Sequence, residues 1–214
     1  MNKNIPYAFL LIIINWYGEL FCRVKWGGGY SDWFEIKAGV RQGGVLSPDF
    51  YSIYVDELIA KLQSLRKGCF FLHLFAAALF YADDMAILAP SIHALQCLLD
   101  VCANYCDEWD ICLNVKKTKN LFFGKKCHSL HKVHLKDRQI EWVEEWKYLG
   151  VTLKQGTSFN CSIMDRIKKF YRCSNAIFRI DGRSNDTVML QLVESHCVPL
   201  LTNAIEIIHV ANQN

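Results

Sequence analysis

The chemistry in this sequence concentrates at Phe80-Tyr81-Ala82-Asp83-Asp84-Met85-Ala86-Ile87-Leu88, a pair of adjacent carboxylates inside an apolar run. Burying a carboxylate is costly unless something compensates its charge. A divalent cation is the natural compensation, and oxygen-only ligands suit Mg²⁺. Carboxylate-held Mg²⁺ in turn suits phosphoryl transfer, in which two ions clamp the attacking and leaving oxygens. Successive side chains of a strand point to opposite faces. Asp83 and Asp84 therefore cannot be equal ligands, and one must lead. The plainer reading is an acidic pair in a solvated hairpin turn.

A second concentration is basic. Of the 24 Lys and Arg against 21 Asp and Glu, residues 116–138 hold 8 basic groups and 1 acidic group, a net of +7. Residues 1–115 carry 8 basic and 12 acidic groups, and residues 139–214 balance at 8 and 8. The overall +3 excludes a histone-like polybasic protein and hides this segment. A solvated basic face is the ordinary reading of such a run. Phosphate contact competes with it, because His128, His131 and His134 lie in the same stretch.

The 10 cysteines suit an oxidising compartment in number but not in pattern, since no short spacing repeats. Cys102 and Cys106, with Cys127, His128, His131 and His134 downstream, form a conceivable zinc set. No Cys-x-x-Cys anchors that set, and free Cys behaves as a small buried hydrophobe, which is the preferred reading. A secreted, cysteine-rich protein is a third reading that paired thiols would support.

These residues need elements to position them. Residues 5–25 read as a helix and then an extended segment. The apolar run Tyr7–Ile14 spans 8 residues, against about 20 for a membrane span. No small-residue cleavage pattern follows it, so it reads as a buried helix and the chain as intracellular, with no membrane partner. Trp26-Gly27-Gly28-Gly29-Tyr30 is a turn, and Asp32–Ile36 alternates as a strand. Ser47-Pro48 opens a helix with Asp49 at its positive end. Its expected buried stripe is Phe50, Ile53, Tyr54, Leu58, Leu62 and Leu65, and Gly68 ends it.

Residues 69–89 suit a hairpin of two buried strands with the acids at the turn. Ser91 caps the next helix, with Ile92, Leu95, Leu99, Cys102, Cys106 and Trp109 on one face. Lys119–Phe123 is a short strand, residues 133–140 a hairpin turning at Lys136-Asp137, and Tyr148–Leu153 another strand. Ile163, Ile167, Phe170, Ser174 and Ile177 mark the inner face of a later helix, with Arg166, Lys168, Lys169 and Arg172 off it. Asp181-Gly182 breaks that helix, and a further one starts near Asp186.

Phe80–Leu88 resembles the Tyr-Ala-Asp-Asp box of reverse transcriptases. Gly39-Val40-Arg41-Gln42-Gly43-Gly44-Val45-Leu46-Ser47-Pro48 is similar to motif B of that family, closest in style to non-long-terminal-repeat (LINE-type) retrotransposon enzymes. Asn114-Val115-Lys116-Lys117-Thr118 with Phe123-Gly124 resembles motif D, and Tyr148-Leu149-Gly150-Val151 resembles motif E. These motifs stand in family order over residues 39–151.

The resemblance implies an α+β fold: an antiparallel palm sheet packed with helices over residues 1–158, then a mainly helical partial thumb over 159–214. It implies an RNA-directed DNA polymerase with Mg²⁺, an RNA template, a DNA primer and deoxynucleoside triphosphates. Asp83 becomes the leading metal ligand and Asp84 its weaker partner, and Lys117 lies near the triphosphate. Which of Lys116, Lys117 and Lys119 points inward stays open. Arg41, Gln42 and Gly43 border nucleotide and template; Tyr81, Tyr148, Leu149 and Gly150 hold the primer.

The family's other metal aspartate belongs to motif A, in a strand beside this hairpin, and none of the 38 residues before Gly39 matches it. Two ions about 4 Å apart need carboxylates from two strands. The expectation is that the chain alone does not polymerise DNA. The alternative is a non-catalytic nucleic-acid-binding or scaffold protein of the same fold.

Overall fold

The computed structural model describes residues 5–37, 39–40, 43–125, 131–180 and 185–207. The architecture is mixed α+β. Helix α1 is Tyr7–Gly18, followed by short strands β1 (Phe21–Cys22), β2 (Lys25–Trp26), β3 (Gly29–Tyr30) and β4 (Phe34–Glu35). Next come helix α2 (Ser47–Ser64), strands β5 (Phe70–Phe71), β6 (Leu74–Phe75), β7 (Ala78–Tyr81) and β8 (Asp84–Ile87), and helix α3 (Ile92–Glu108). Strands β9 (Lys119–Asn120), β10 (Val133–Leu135), β11 (Arg138–Trp142), β12 (Glu145–Tyr148), β13 (Val151–Lys154) and β14 (Asn160–Ser162) precede helix α4 (Met164–Ile180). Helix α5 (Asp186–Leu192), a π-helical turn (Val193–Cys197) and helix α6 (Val198–Thr202) complete the described chain.

The strands form several small sheets rather than one broad one: β1-β4, β2-β3, β5-β6, β7-β8, β10-β11-β9 and β12-β13-β14. Most pairings are antiparallel, while β9 joins β11 in parallel. The chain divides into two compact units, one of residues 1–59 with 80–84, the other of residues 60–79 with 85–214.

In the first unit, β2 and β3 pair Trp26 with Gly29 around Gly27-Gly28, whose φ values are 55° and 87°. That doubly left-handed turn matches the twist of a tight hairpin, and glycine enters it without strain. Helix α1 departs from the buried helix expected of it. None of its residues is buried, and Ile12 and Ile14 are both more than 60% exposed. Its residues are apolar on every side, so one neighbour cannot cover them. Tyr17 does pack edge-on against Phe50, with ring centroids 5.5 Å apart.

Helix α2 buries Val55, Leu58 and Leu62, whereas Ile53 and Tyr54 are exposed. The buried stripe is therefore rotated from the expected one, and Val55 takes the place of its neighbours. The helix ends at Ser64, with Arg66 left-handed at φ 53°, ahead of Gly68.

Helix α3 anchors the second unit. Ser91 caps it by accepting a hydrogen bond from Ala94 N at 3.2 Å, which satisfies one orphan N–H of the first turn. Leu99 and Ala103 pack with Val133, Leu135 and Ile140 of the β10-β11 hairpin, and Ile92, Leu95, Leu113, Val115 and Trp142 close round them. Gln96 fastens this contact: its Oε1 accepts from His134 N at 2.8 Å, and its Nε2 donates to His134 O at 2.9 Å. The β10-β11 hairpin turns at Lys136-Asp137 as expected, pairing Leu135 with Arg138.

Burial, then the nearby Cys106, pushes the Cys102 thiol up to about 12. An unburied thiol titrates near 9.0, so above pH 9 the unfolded chain releases a proton that the folded chain retains. Stability is therefore expected to fall as pH rises from about 9 to 12. Urea unfolding of wild type and Cys102→Ala across that range checks this: the variant's curve is expected to be flatter. The described cysteines are free thiols. Among the described residues no cluster of three or more His, Cys, Asp or Glu is arranged to hold a metal ion, and Cys127 and His128 of the conceivable zinc set lie outside them.

Helix α4 packs against α5, the π-helical turn and α6. Lys168, Lys169 and Arg172 are exposed as expected, but Arg166 is buried at 6% exposure. Its Nη1 donates to the carbonyl of Asn203, a partner 37 residues away that local periodicity cannot reveal. The Asp181-Gly182 break lies outside the described residues. Among the described residues no helix is long and apolar enough to cross a membrane.

Candidate active site

The acidic pair sits in a two-residue hairpin turn. Tyr81 closes β7, Ala82 and Asp83 form the turn, and Asp84 opens β8. Ala82 is left-handed at φ 48°, a conformation that strains a residue bearing a Cβ. Leu72 and Lys136 adopt the same conformation in the β5-β6 and β10-β11 hairpins, at 54° and 55°. The turn geometry, rather than chemistry, demands it. Tyr81, Ala82, Asp83 and Asp84 are all exposed.

This corrects the expectation of buried strands: β7 alternates half-buried and exposed residues, and Phe71, Leu72 and Leu74 of the preceding hairpin are largely exposed. Desolvation therefore does not force a cation onto the carboxylates. What the turn offers is two adjacent, solvated oxygen donors, one in the loop and one in the strand. That donor set suits a hard cation, and Mg²⁺ is commonly held by one or two carboxylates completed by water and substrate phosphate.

Gly43 lies in the turn before α2 at φ 78°, while Arg41 and Gln42 lie outside the described residues. Gly43, Tyr81, Asp83 and Asp84 belong to the first unit; Lys117, Tyr148, Leu149 and Gly150 belong to the second.

Lys117 occupies a helical turn organised by Asn114. The Asn114 carbonyl accepts from Lys117 N and Thr118 N, both at 3.0 Å, and its Oδ1 accepts from Lys117 N at 3.2 Å. Asn114 was not singled out as a positioning residue by the sequence. The signal for it is the tendency of Asn to bond its own backbone in turns.

The three lysines separate. Lys119 pairs with Glu141 at 2.5 Å and lies 6.0 Å from the Trp146 ring, whereas Lys116 and Lys117 are exposed. Within the basic segment Lys136 is also paired, to Asp107, and that hydrogen bond holds its ammonium above the ordinary lysine range.

Tyr148–Leu153 is not one strand. Tyr148 pairs with Val151 across a tight turn in which Leu149 and Gly150 are left-handed at φ 45° and 82°. Gly150 suits that position as Gly28 suits its own. The backbone of this turn is presented at the surface, with Leu149 and Gly150 exposed and Tyr148 half-buried.

Comparison with known proteins bears on this arrangement. Residues 4–153 match the family described as reverse transcriptase (RNA-dependent DNA polymerase). The RNA-directed DNA polymerase from mobile element jockey of Drosophila funebris is 32% identical over 162 residues, covering 72% of this chain and 17% of the relative. Its Drosophila melanogaster counterpart is 28% identical over 165 residues, covering 74% of this chain and 18% of the relative. The probable RNA-directed DNA polymerase from transposon BS of Drosophila melanogaster is 26% identical over 226 residues, covering 99% of this chain and 24% of the relative. The chain thus spans between 17% and 24% of the length of these curated relatives. With the family match extending over more than half of its residues, the chain belongs to the reverse transcriptase family.

Proposed function

We propose that the chain carries the metal-bearing and primer-holding part of an RNA-directed DNA polymerase of a LINE-type retrotransposon. We further propose that this 214-residue chain binds primer–template without extending it. The observation that carries the reading is the Tyr81–Asp84 turn, which presents adjacent carboxylates at the tip of a hairpin in a chain of this family.

Asp83, in the loop, is the leading ligand for Mg²⁺, and Asp84, at the first strand position, is the weaker one. When bound, Mg²⁺ neutralises charge on the phosphoryl oxygens and favours ionisation of the attacking hydroxyl. The ammonium of Lys117 meets the triphosphate as a point charge, held out by the Asn114 turn. Arg41, Gln42 and Gly43 border the incoming nucleotide and template. The ring of Tyr81 lies against the primer end, and the exposed Leu149-Gly150 backbone, with Tyr148, supports the primer strand. Residues 1–158 act as part of the palm and 159–214 as part of a thumb, with Lys168, Lys169 and Arg172 following duplex phosphates.

Two ions need carboxylates from two strands, and Asp83 and Asp84 are adjacent on one turn, which favours binding over extension. The test is fluorescence anisotropy of a labelled primer–template with the full chain, run beside an extension assay. Affinity is expected to fall steeply with salt, with no template-directed product in Mg²⁺ or Mn²⁺. Extension that disappears in Asp83→Ala overturns the non-extending part. Salt-independent or absent binding overturns the rest.

A further inference from the structure

A surface in the first unit is not used by this reading. On the β2-β3 hairpin Lys25 stands directly opposite Tyr30, so their side chains share a face, and Trp26 opposite Gly29 lies on the other. The guanidinium of Arg23 lies 3.9 Å from the Tyr30 ring centroid and 4.8 Å from that of Trp33. Lys25 Nζ lies 5.6 Å from the Tyr30 ring. The two rings remain 54% and 63% exposed. The backbone beneath is braced: Ser31 N donates to Val24 O, and Val24 N to Ser31 Oγ, both at 2.9 Å.

We propose that this face, Arg23, Lys25, Tyr30 and Trp33, binds unpaired single-stranded nucleic acid. Exposed rings that share one face with two cations match what an unpaired strand offers. Its bases present open π faces for stacking, and its phosphates meet the guanidinium and ammonium. A duplex keeps its base faces stacked inside and matches only the charges. The stacking mode, the named face and the preference for unpaired strand go beyond primer–template binding. The inference rests on the reading above only in taking nucleic acid as the partner.

The experiment uses the full chain and three probes: fluorescein-labelled oligouridylate, an abasic sugar-phosphate strand of equal length, and the paired region of the primer–template as a blunt-ended duplex. Trp33→Ala is expected to weaken oligouridylate binding about tenfold, the low end of what a stacked base contributes. Trp33→Phe restores most of it, and duplex binding changes less than about twofold. Wild type is expected to hold the abasic strand about as weakly as Trp33→Ala holds oligouridylate, since neither pair can stack. Trp26→Ala, on the opposite face, serves as the control and is expected to leave oligouridylate binding unchanged.

The proposal is overturned if Trp33→Ala binds oligouridylate like wild type, or if Trp26→Ala costs as much. It is equally overturned if Trp33→Ala changes sedimentation rather than oligonucleotide affinity, which would mark the face as a protein interface. Oligouridylate binding that depends on Trp33, together with no duplex binding, would sink the primer–template reading and leave this one standing.

Discussion

Gly68→Ala is expected to lower stability by about 1–3 kcal/mol, the cost of forcing a methyl group into a packed site. A Cβ at Gly68 would stand 2.0 Å from the Cβ of Ala77, 3.1 Å from the Phe75 ring and 3.5 Å from the Ala77 Cα. Ordinary carbon contacts are about 3.5–4.0 Å, and Ala77 is fully buried, so the backbone has to give.

That backbone is a junction. Ala77 O accepts from Leu88 N at 2.7 Å, Cys69 N donates to Leu88 O at 3.3 Å, and Ala76 N donates to Cys69 O at 3.0 Å. The displacement falls at the base of the strands that carry the Tyr81–Asp84 turn. Gly18→Ala is the matched control, because a Cβ there meets nothing within 4 Å and its φ is not left-handed. Urea midpoints for the two variants check the claim: Gly18→Ala should lie at or slightly above wild type, Gly68→Ala well below. Equal midpoints would contradict the close packing.

Gly68 also illustrates what sequence reasoning could reach. As a helix terminator it is a sensible local reading, yet α2 stops earlier and the glycine is required by Ala77, its neighbour only in the folded chain. Features set by nearby residues were legible: the Ser91 cap, the Lys136-Asp137 turn and the acidic hairpin turn all stand where spacing put them. Features set by distant partners were not. The charge of Arg166 points it outward by pattern, but Asn203 draws it into the interior. Lys119 could not be separated from Lys116 and Lys117 until parallel pairing of β9 with β11 set Glu141 beside it. In α2, apolar residues on more than one side allowed two buried stripes, and packing chose the one through Val55. The Leu149-Gly150 turn was hidden because Leu149 looks like a strand residue, although the glycine beside it was the available clue.

The candidate site divides along the same line. Residue types and order place the acidic pair at its hairpin turn, whereas the turns that hold Lys117 and Leu149-Gly150 are visible only in the folded chain. Whether the apolar strands around Asp83 are buried depends on what covers them, and β7 is only half covered.

Asp83→Asn carries the other large expected effect, loss of divalent-cation binding. The substitution keeps the shape and one oxygen of the side chain but removes the charge from the leading ligand. With Asp84 as the remaining carboxylate, affinity should drop at least about tenfold, the scale on which metal sites respond even to outer-shell changes. Asp84→Asn should cost less, because Asp84 lies in the strand rather than at the tip of the turn. A stringent control is available in Asp137, which likewise follows a left-handed residue in a two-residue hairpin turn but has Arg138, not a second acid, after it. The account is tested most directly by titrating Mn²⁺ into the full chain and following free Mn²⁺ by electron paramagnetic resonance. It predicts that wild type and Asp137→Asn deplete the free ion alike, while Asp83→Asn needs at least about ten times more metal for the same occupancy. An Asp83→Asn titration that overlays wild type would contradict it.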